Sequence, residues 1–334
     1  MSDMLFLSGQ IRSLEKNLLT RAQIDRMITA PTPEDAFGVL IELQYAKYFD
    51  TSLQAKNFEL VLSQGLLETK EFLDNEINNE PLRHLLWLRF DIGNIKRALK
   101  AFVVENDTAL ECLDNTDGFV WLGEYSVGDV RGFIMDNSTH EQLFPEIATV
   151  IQRALNQDFD SFFEIDTALD EAALLIFSNI SKSSSDPFVQ KIYNTISLHY
   201  TLRSVAHSVL LYNQELNITE IITKHSTLSI DTDTASFVGV DGLKYLLDIA
   251  EVSLDMSAWN SGDVYVKLLL IENVLEKKYM DLLHDCDSGA IGGLVVPLWY
   301  METRLRNAQT IKTILLAKFQ GMTPDNIYAL LPHL

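Results

Sequence analysis

Four neighbouring residues, His284, Asp285, Cys286 and Asp287, are all of types that bind metal ions. A metal centre needs ligands converging from separate points of the chain, and nothing distant complements this run. It reads as a polar loop after a helix ending near Leu283. Asp114, Asn115, Thr116, Asp117 and Gly118 have a calcium-loop composition, but without the alternating ligand ladder and terminal bidentate Glu they read as a turn. Gly289, Ala290, Ile291, Gly292 and Gly293 are not followed by the Lys-Ser/Thr of a phosphate loop, so flexibility is their expected use. The 7 histidines and many carboxylates are tied together by no G-x-S-x-G or H-E-x-x-H arrangement. Cys112 and Cys286, the only 2 cysteines, lie far apart, which argues against a disulfide framework and for a reducing compartment. No catalytic residue, cofactor or metal is expected, and the chain reads as a non-enzyme.

The elements that must position any site are helices. With 15 Gly and 8 Pro in 334 residues there is little of the turn chemistry that a many-stranded sandwich or barrel needs. Leu85, Leu88, Ile92, Ile95, Leu99 and Phe102 recur at steps of three and four, which predicts a long amphipathic helix. The same rhythm returns at Leu7, Ile11, Leu14 and Leu18, at Leu198, Leu202, Val205 and Val209, and at Leu268, Ile271 and Leu275. It closes the chain at Leu298, Met301, Leu305, Ala308 and Ile311. Thr32 before Pro33, Glu34 and Asp35, and Thr323 before Pro324 and Asp325, carry the marks of capped helix starts, and Ser126 with Asp129 is a looser copy. Arg304, Arg306, Lys312 and Lys318 read as the solvated surface of the last long helix.

No apolar run approaches the roughly 20 residues that span a bilayer, and MSDMLFLSGQ has no basic region or cleavage site, so neither a span nor a secretory signal is expected. A net charge of −21 repels nucleic acid and anionic lipid, and suits a partner with basic surfaces.

Long helix followed by capped helix suggests an internal repeat. Asn94 and Asn307 occupy similar settings 213 residues apart. Half of that, about 106, falls at the middle long helix near Thr201. The chain therefore divides into helical segments 1–112, 113–217 and 218–334, with junctions at 111–119 and between Asn217 and Asp233 and a serine-rich loop at Ser178–Pro187. Three helical repeats can close around a pseudo-threefold axis.

Several landmarks, in order, carry a family resemblance. Arg12, Glu15, Leu18 and Leu19 precede the capped helix at Thr32. Asp91, Asn94, Ile95 and Lys96 form a D-x-x-N-[IL]-K segment. Leu122-Gly123-Glu124-Tyr125-Ser126 is a glycine-led phrase, Glu164, Leu169 and Asp170 mark an acidic helix start, and Glu302, Leu305, Asn307 and Ile311 precede Gly321. At the last landmark Arg304 and Gln309 stand where the pattern has an acid and an arginine, and the middle segment has His199 and Leu202 in place of the Asp/Asn pair. Over nearly its whole length the chain resembles the C-type subunit family of V/A-type ATPases, whose eukaryotic equivalent is the d-type subunit of V-ATPase. The resemblance implies an all-α funnel of three helical subdomains: a non-catalytic central-stalk component on the cytoplasmic face, receiving the rotor shaft and seated on the membrane proteolipid ring. Asp91, Asn94, Lys96, Glu302 and Asn307 are its motif positions, and the expected role of Asp91 and Asn94 is hydrogen bonding between helices. A helical scaffold with the same architecture and other protein partners is the alternative.

Overall fold

The computed structural model describes residues 2–43, 45, 47, 55–105, 121–136, 142–184, 186–211, 239–288 and 293–331. Among them are fourteen α-helices, two short 3₁₀ turns and no strand. The chain is all-α. In order the helices are α1 (Ser2–Glu15), α2 (Arg21–Thr29), α3 (Pro33–Gly38), α4 (Phe58–Glu76), α5 (Glu80–Glu105), α6 (Val127–Met135) and α7 (Pro145–Leu155). There follow α8 (Phe162–Ser183), α9 (Pro187–Leu210), α10 (Gly239–Ile249), α11 (Met256–Ser261), α12 (Val264–Ser288), α13 (Val295–Phe319) and α14 (Pro324–Ala329).

The long helices form where the apolar stripes predict them, except that α1 stops at Glu15, short of Leu18. In α5, Leu85, Leu88, Ile92, Ile95 and Leu99 are all buried. The capped starts form too. Thr32 Oγ1 accepts from the Asp35 amide and Thr323 Oγ1 from the Asn326 amide, each with Pro next in line. Ser126 and Asp129 cap each other reciprocally, the Ser126 amide donating to Asp129 Oδ2 at 2.7 Å and the Asp129 amide to Ser126 Oγ at 3.1 Å.

The chain divides into two compact units, each drawing on separated stretches: Met1–Asn94, Val104–Val130 and Leu283–Leu334 in the first, and Ile95–Val103 with Arg131–Leu282 in the second. In the first, α13 is the centrepiece, packing against α1, α2, α3 and α4, with α14 on α2. In the second, α7 packs on α8, α8 on α9, and α9 on both α10 and α12. Leu202, Val205 and Val209 of α9, Leu243, Leu246 and Leu247 of α10, Trp259, and Ile271 and Leu275 of α12 form its core.

Two expected loops are helical. His284 to Asp287 lie within α12, which runs to Ser288. Leu283 and Asp287 are both buried, so the helix keeps an inward face past the point where its apolar residues end. The serine-rich stretch shrinks to the step between Ser183 and Pro187, because Ile176, Phe177, Ile180 and Ser181 keep α8 buried through its last turns. Asp186 then caps α9, its carboxylate accepting from the Phe188 amide at 2.8 Å. Cys112, the turn at 114–118, the junctions at 111–119 and 217–233, and the glycine run 289–292 lie outside the described residues.

Candidate functional site

Asp91 and Asn94 sit one turn apart on α5, 2% and 3% exposed, a burial that polar groups bear only when hydrogen-bonded. Both grip the glycine-led phrase. Asp91 Oδ2 accepts from the Glu124 amide and Oδ1 from the Tyr125 amide, each at 3.1 Å. Asn94 Nδ2 donates to the Leu122 carbonyl at 2.6 Å. Gly123 closes the turn at φ +132°, and a Cβ there would lie 2.2 Å from Asp91 Oδ1, so both the backbone angle and the space require glycine. Two landmarks that the sequence shows only as separate phrases are one structure.

Charge surrounds this turn. Glu124 pairs with His84 at 3.4 Å and Arg83 at 3.1 Å, and His84 also faces Glu80 at 3.5 Å. Burial pushes the Asp91 carboxyl up from 3.8 to about 7, although its two backbone hydrogen bonds and Lys70 favour the ionised form. For Glu124, burial is outweighed by His84, Arg83 and Lys70, which hold it below its ordinary value.

The remaining motif positions are committed elsewhere. Glu302 of α13 pairs with Arg89 of α5 at 2.7 Å. Asn307 lies half-buried on α13. Lys96 belongs to the second unit and pairs with Asp170 of α8 at 2.7 Å. One turn on, Lys100 and Asp166 repeat the contact at 2.8 Å, giving a two-rung ladder between α5 and α8. The D-x-x-N-[IL]-K landmark thus meets both the glycine-led phrase and the acidic helix start.

Arg304 corrects the expectation of a solvated basic face. It is 1% exposed, and donates to Gly65 O at 3.0 Å, Thr69 Oγ1 at 3.2 Å and Tyr45 Oη at 3.4 Å, with its guanidinium 5.3 Å from the Tyr45 ring. Gly65 is fitted to it, since a Cβ there would meet the Tyr45 ring at 2.6 Å. Lys312 and Lys318 also have partners, Glu59 at 2.5 Å and the Ala30 carbonyl at 2.6 Å. The guanidinium of Arg12, the first residue of the N-terminal landmark, forks onto Asp287 at 2.7 and 2.8 Å. A buried Asp287 facing a bidentate arginine accounts for one member of the would-be metal cluster.

Among the described residues no three His, Cys, Asp or Glu gather as a metal site, and no helix is long and apolar enough to cross a membrane. A recess of about 440 Å³ in the second unit is lined by Lys244, Asp248, Glu251, Met256 and Trp259 among others. None of the strongly perturbed groups among the described residues, Asp91, Tyr125 and His199, lines it. Of the motif side chains, Asp91 and Asn94 meet the backbone of the Leu122–Tyr125 turn, and Lys96 and Glu302 meet opposite charges on neighbouring helices.

The family model for the ATP synthase (C/AC39) subunit matches residues 7–330. The chain belongs to the ATP synthase (C/AC39) subunit family. No curated protein matches the chain. As a C/AC39 subunit it is part of a rotary V/A-type ATPase and works in a complex with other ATPase subunits. The matched region holds every motif position named above.

Proposed function

We propose that the chain is the non-catalytic coupling subunit of the central stalk, joining the rotor shaft to the proteolipid ring on the cytoplasmic face of the membrane. The observation that carries this reading is the family match over 7–330. An all-helical body with buried polar fasteners supports it, because transmitting torque calls for stiffness, and closely packed long helices with satisfied interior groups resist deformation. The three-repeat division at 1–112, 113–217 and 218–334, closed into a funnel, belongs to the same proposal. A net charge of −21 suits docking onto basic surfaces of the shaft or of the ring loops, chiefly by speeding encounter and setting specificity. No cofactor enters the reading, and motif residues such as Asp91, Asn94, Lys96, Glu302 and Asn307 serve it by holding shape. The test is binding of the purified chain to a cognate shaft complex and, separately, to detergent-solubilised ring. Binding to both is expected, and binding to neither contradicts the proposal.

A further inference from the structure

We propose that the recess at the end of α10 seats a basic side chain, lysine or arginine, from a neighbouring subunit of the ATPase, with its stem on the apolar wall and its charge against Asp248 and Glu251. Such a seat needs only membership of the complex, not the coupling role. At about 440 Å³ the recess lies at the small end of the range of ligand pockets, about 300–1,000 Å³. Val252 and Trp259, 4% and 3% exposed, and the half-exposed Met256 give it an apolar wall. Asp248 and Glu251 line it too, and neither carboxylate has a hydrogen-bond or ion-pair partner among the described residues. An aliphatic stem ending in a cation matches both parts, since lysine and arginine lay their methylenes on apolar surface and keep the charged head in polar surroundings.

The end of α10 is electrostatically reversed. It closes with the Glu251 amide donating to the Asp248 carbonyl at 3.0 Å and the Val252 amide to the Leu247 carbonyl at 2.8 Å. α13 closes with the same pair of bonds, the Gly321 amide to the Lys318 carbonyl at 2.9 Å and the Met322 amide to the Ala317 carbonyl at 3.0 Å. There the last turn carries a cation, which suits the negative end of the helix dipole, and glycine takes the left-handed position at φ +71°. In α10 the corresponding residues are Asp248 and Glu251, the latter at φ +53°, and the last turn has no basic residue. Three lysines stand nearby, each engaged elsewhere. Lys278 of α12 donates to the Ala250 carbonyl at 2.7 Å, Lys244 faces Asp241 at 3.9 Å, and Lys267 lies 5.7 Å from the centre of the Trp259 ring. Two carboxylates at the negative end of a helix, beside an apolar wall, thus lack the cation that their setting favours.

Nitrogen-15 labelling of tryptophan in the full chain gives an indole resonance for Trp259, assigned by Trp259→Phe. Nα-acetyl-lysine amide, at millimolar concentration and about 0.05 M salt, should move it saturably, and Nα-acetyl-glutamine amide should not. Asp248→Asn combined with Glu251→Gly should abolish the shift. Glycine suits the left-handed position, so the urea midpoint of this double variant should stay at or above that of the parent. An unmoved resonance, an equal response to the glutamine compound, or a shift with magnesium chloride but not with the lysine compound overturns the proposal. In reassembly onto the stripped ATPase the double variant should bind at least about tenfold more weakly. Glu276→Gln with Asp281→Asn, the same charge change at exposed positions outside the recess, should cost less than about twofold. Equal losses from the two pairs overturn the proposal. So does a double variant that binds as tightly as the parent, the outcome if the chain's own residues or solvent alone fill the recess, and that result leaves the coupling role standing.

Discussion

At Gly123 a methyl group would stand 2.2 Å from a buried carboxylate oxygen on backbone already at φ +132°. Gly123→Ala must displace the Asp91 grip or strain the turn, and should lower stability by about 2–4 kcal/mol, read as a fall in the urea midpoint. Arg304→Met keeps the volume but removes the guanidinium donor to Thr69 Oγ1 and to Gly65 O, which keeps only the Thr69 hydroxyl as a side-chain donor, at a cost of about 1–3 kcal/mol by the same measurement. Arg304→Lys should recover only part of that, since an ammonium cannot reproduce the guanidinium fork. His199 gives a pH test in the second unit. Burial, helped by the charge of Arg203, depresses it from 6.5 to about 4, so the unfolded chain binds its proton first. Its contribution is complete above about pH 6.5 and is lost as the pH falls toward 4. His199→Phe should therefore flatten the stability profile between pH 6.5 and 4, while an unchanged acid limb would show that His199 is not the group titrating. Residue by residue, the burial of Arg304 is legible in spacing, three residues after Met301 and four before Ala308. That is the inward side which the apolar stripe assigns to Leu305, itself only half-buried, and the charge of Arg304 makes it read as solvated surface. The partners of Asp91 and Asn94 are not legible, because a D-x-x-N pair shows that a helix face is polar without showing what backbone meets it.

Helix starts write their chemistry into adjacent residues, and three of those read from sequence, at Thr32, Ser126 and Thr323, carry the expected side-chain caps. Ser126→Ala removes the acceptor for the Asp129 amide and should cost about 1 kcal/mol, with faster hydrogen exchange confined to the first turn of α6. Exchange spreading to α5 would mean that the cap and the Asp91 contact open together. Helix ends are less legible. The apolar stripe of α12 fades before His284, but the helix continues because Arg12 supplies Asp287 with a charged partner across 275 residues of sequence. α8 likewise runs into a serine-rich tract, since Ser181 is buried and Ser183 Oγ turns back onto the Ile180 carbonyl at 2.9 Å. Local composition favours loops there, and tertiary packing decides otherwise.

For the whole chain, helical class and family follow from periodicity and from the order of the landmarks. The assembly of the first unit does not, because α13 packs against α1 to α4 through contacts such as Lys318 to the Ala30 carbonyl, 288 residues apart, which no local pattern encodes. A net charge of −21 acts at this scale, predicting that docking onto the rest of the ATPase slows as salt rises from about 0.05 to about 0.5 M, with the effect mainly in the association rate. The coupling role is tested most directly by ion uptake per ATP hydrolysed in the assembled enzyme, before the chain is stripped, after stripping, and after it is added back. Hydrolysis by the soluble head should survive stripping while uptake is lost, and adding the chain back should restore uptake. Uptake that persists without the chain, or hydrolysis that disappears with it, would contradict the account.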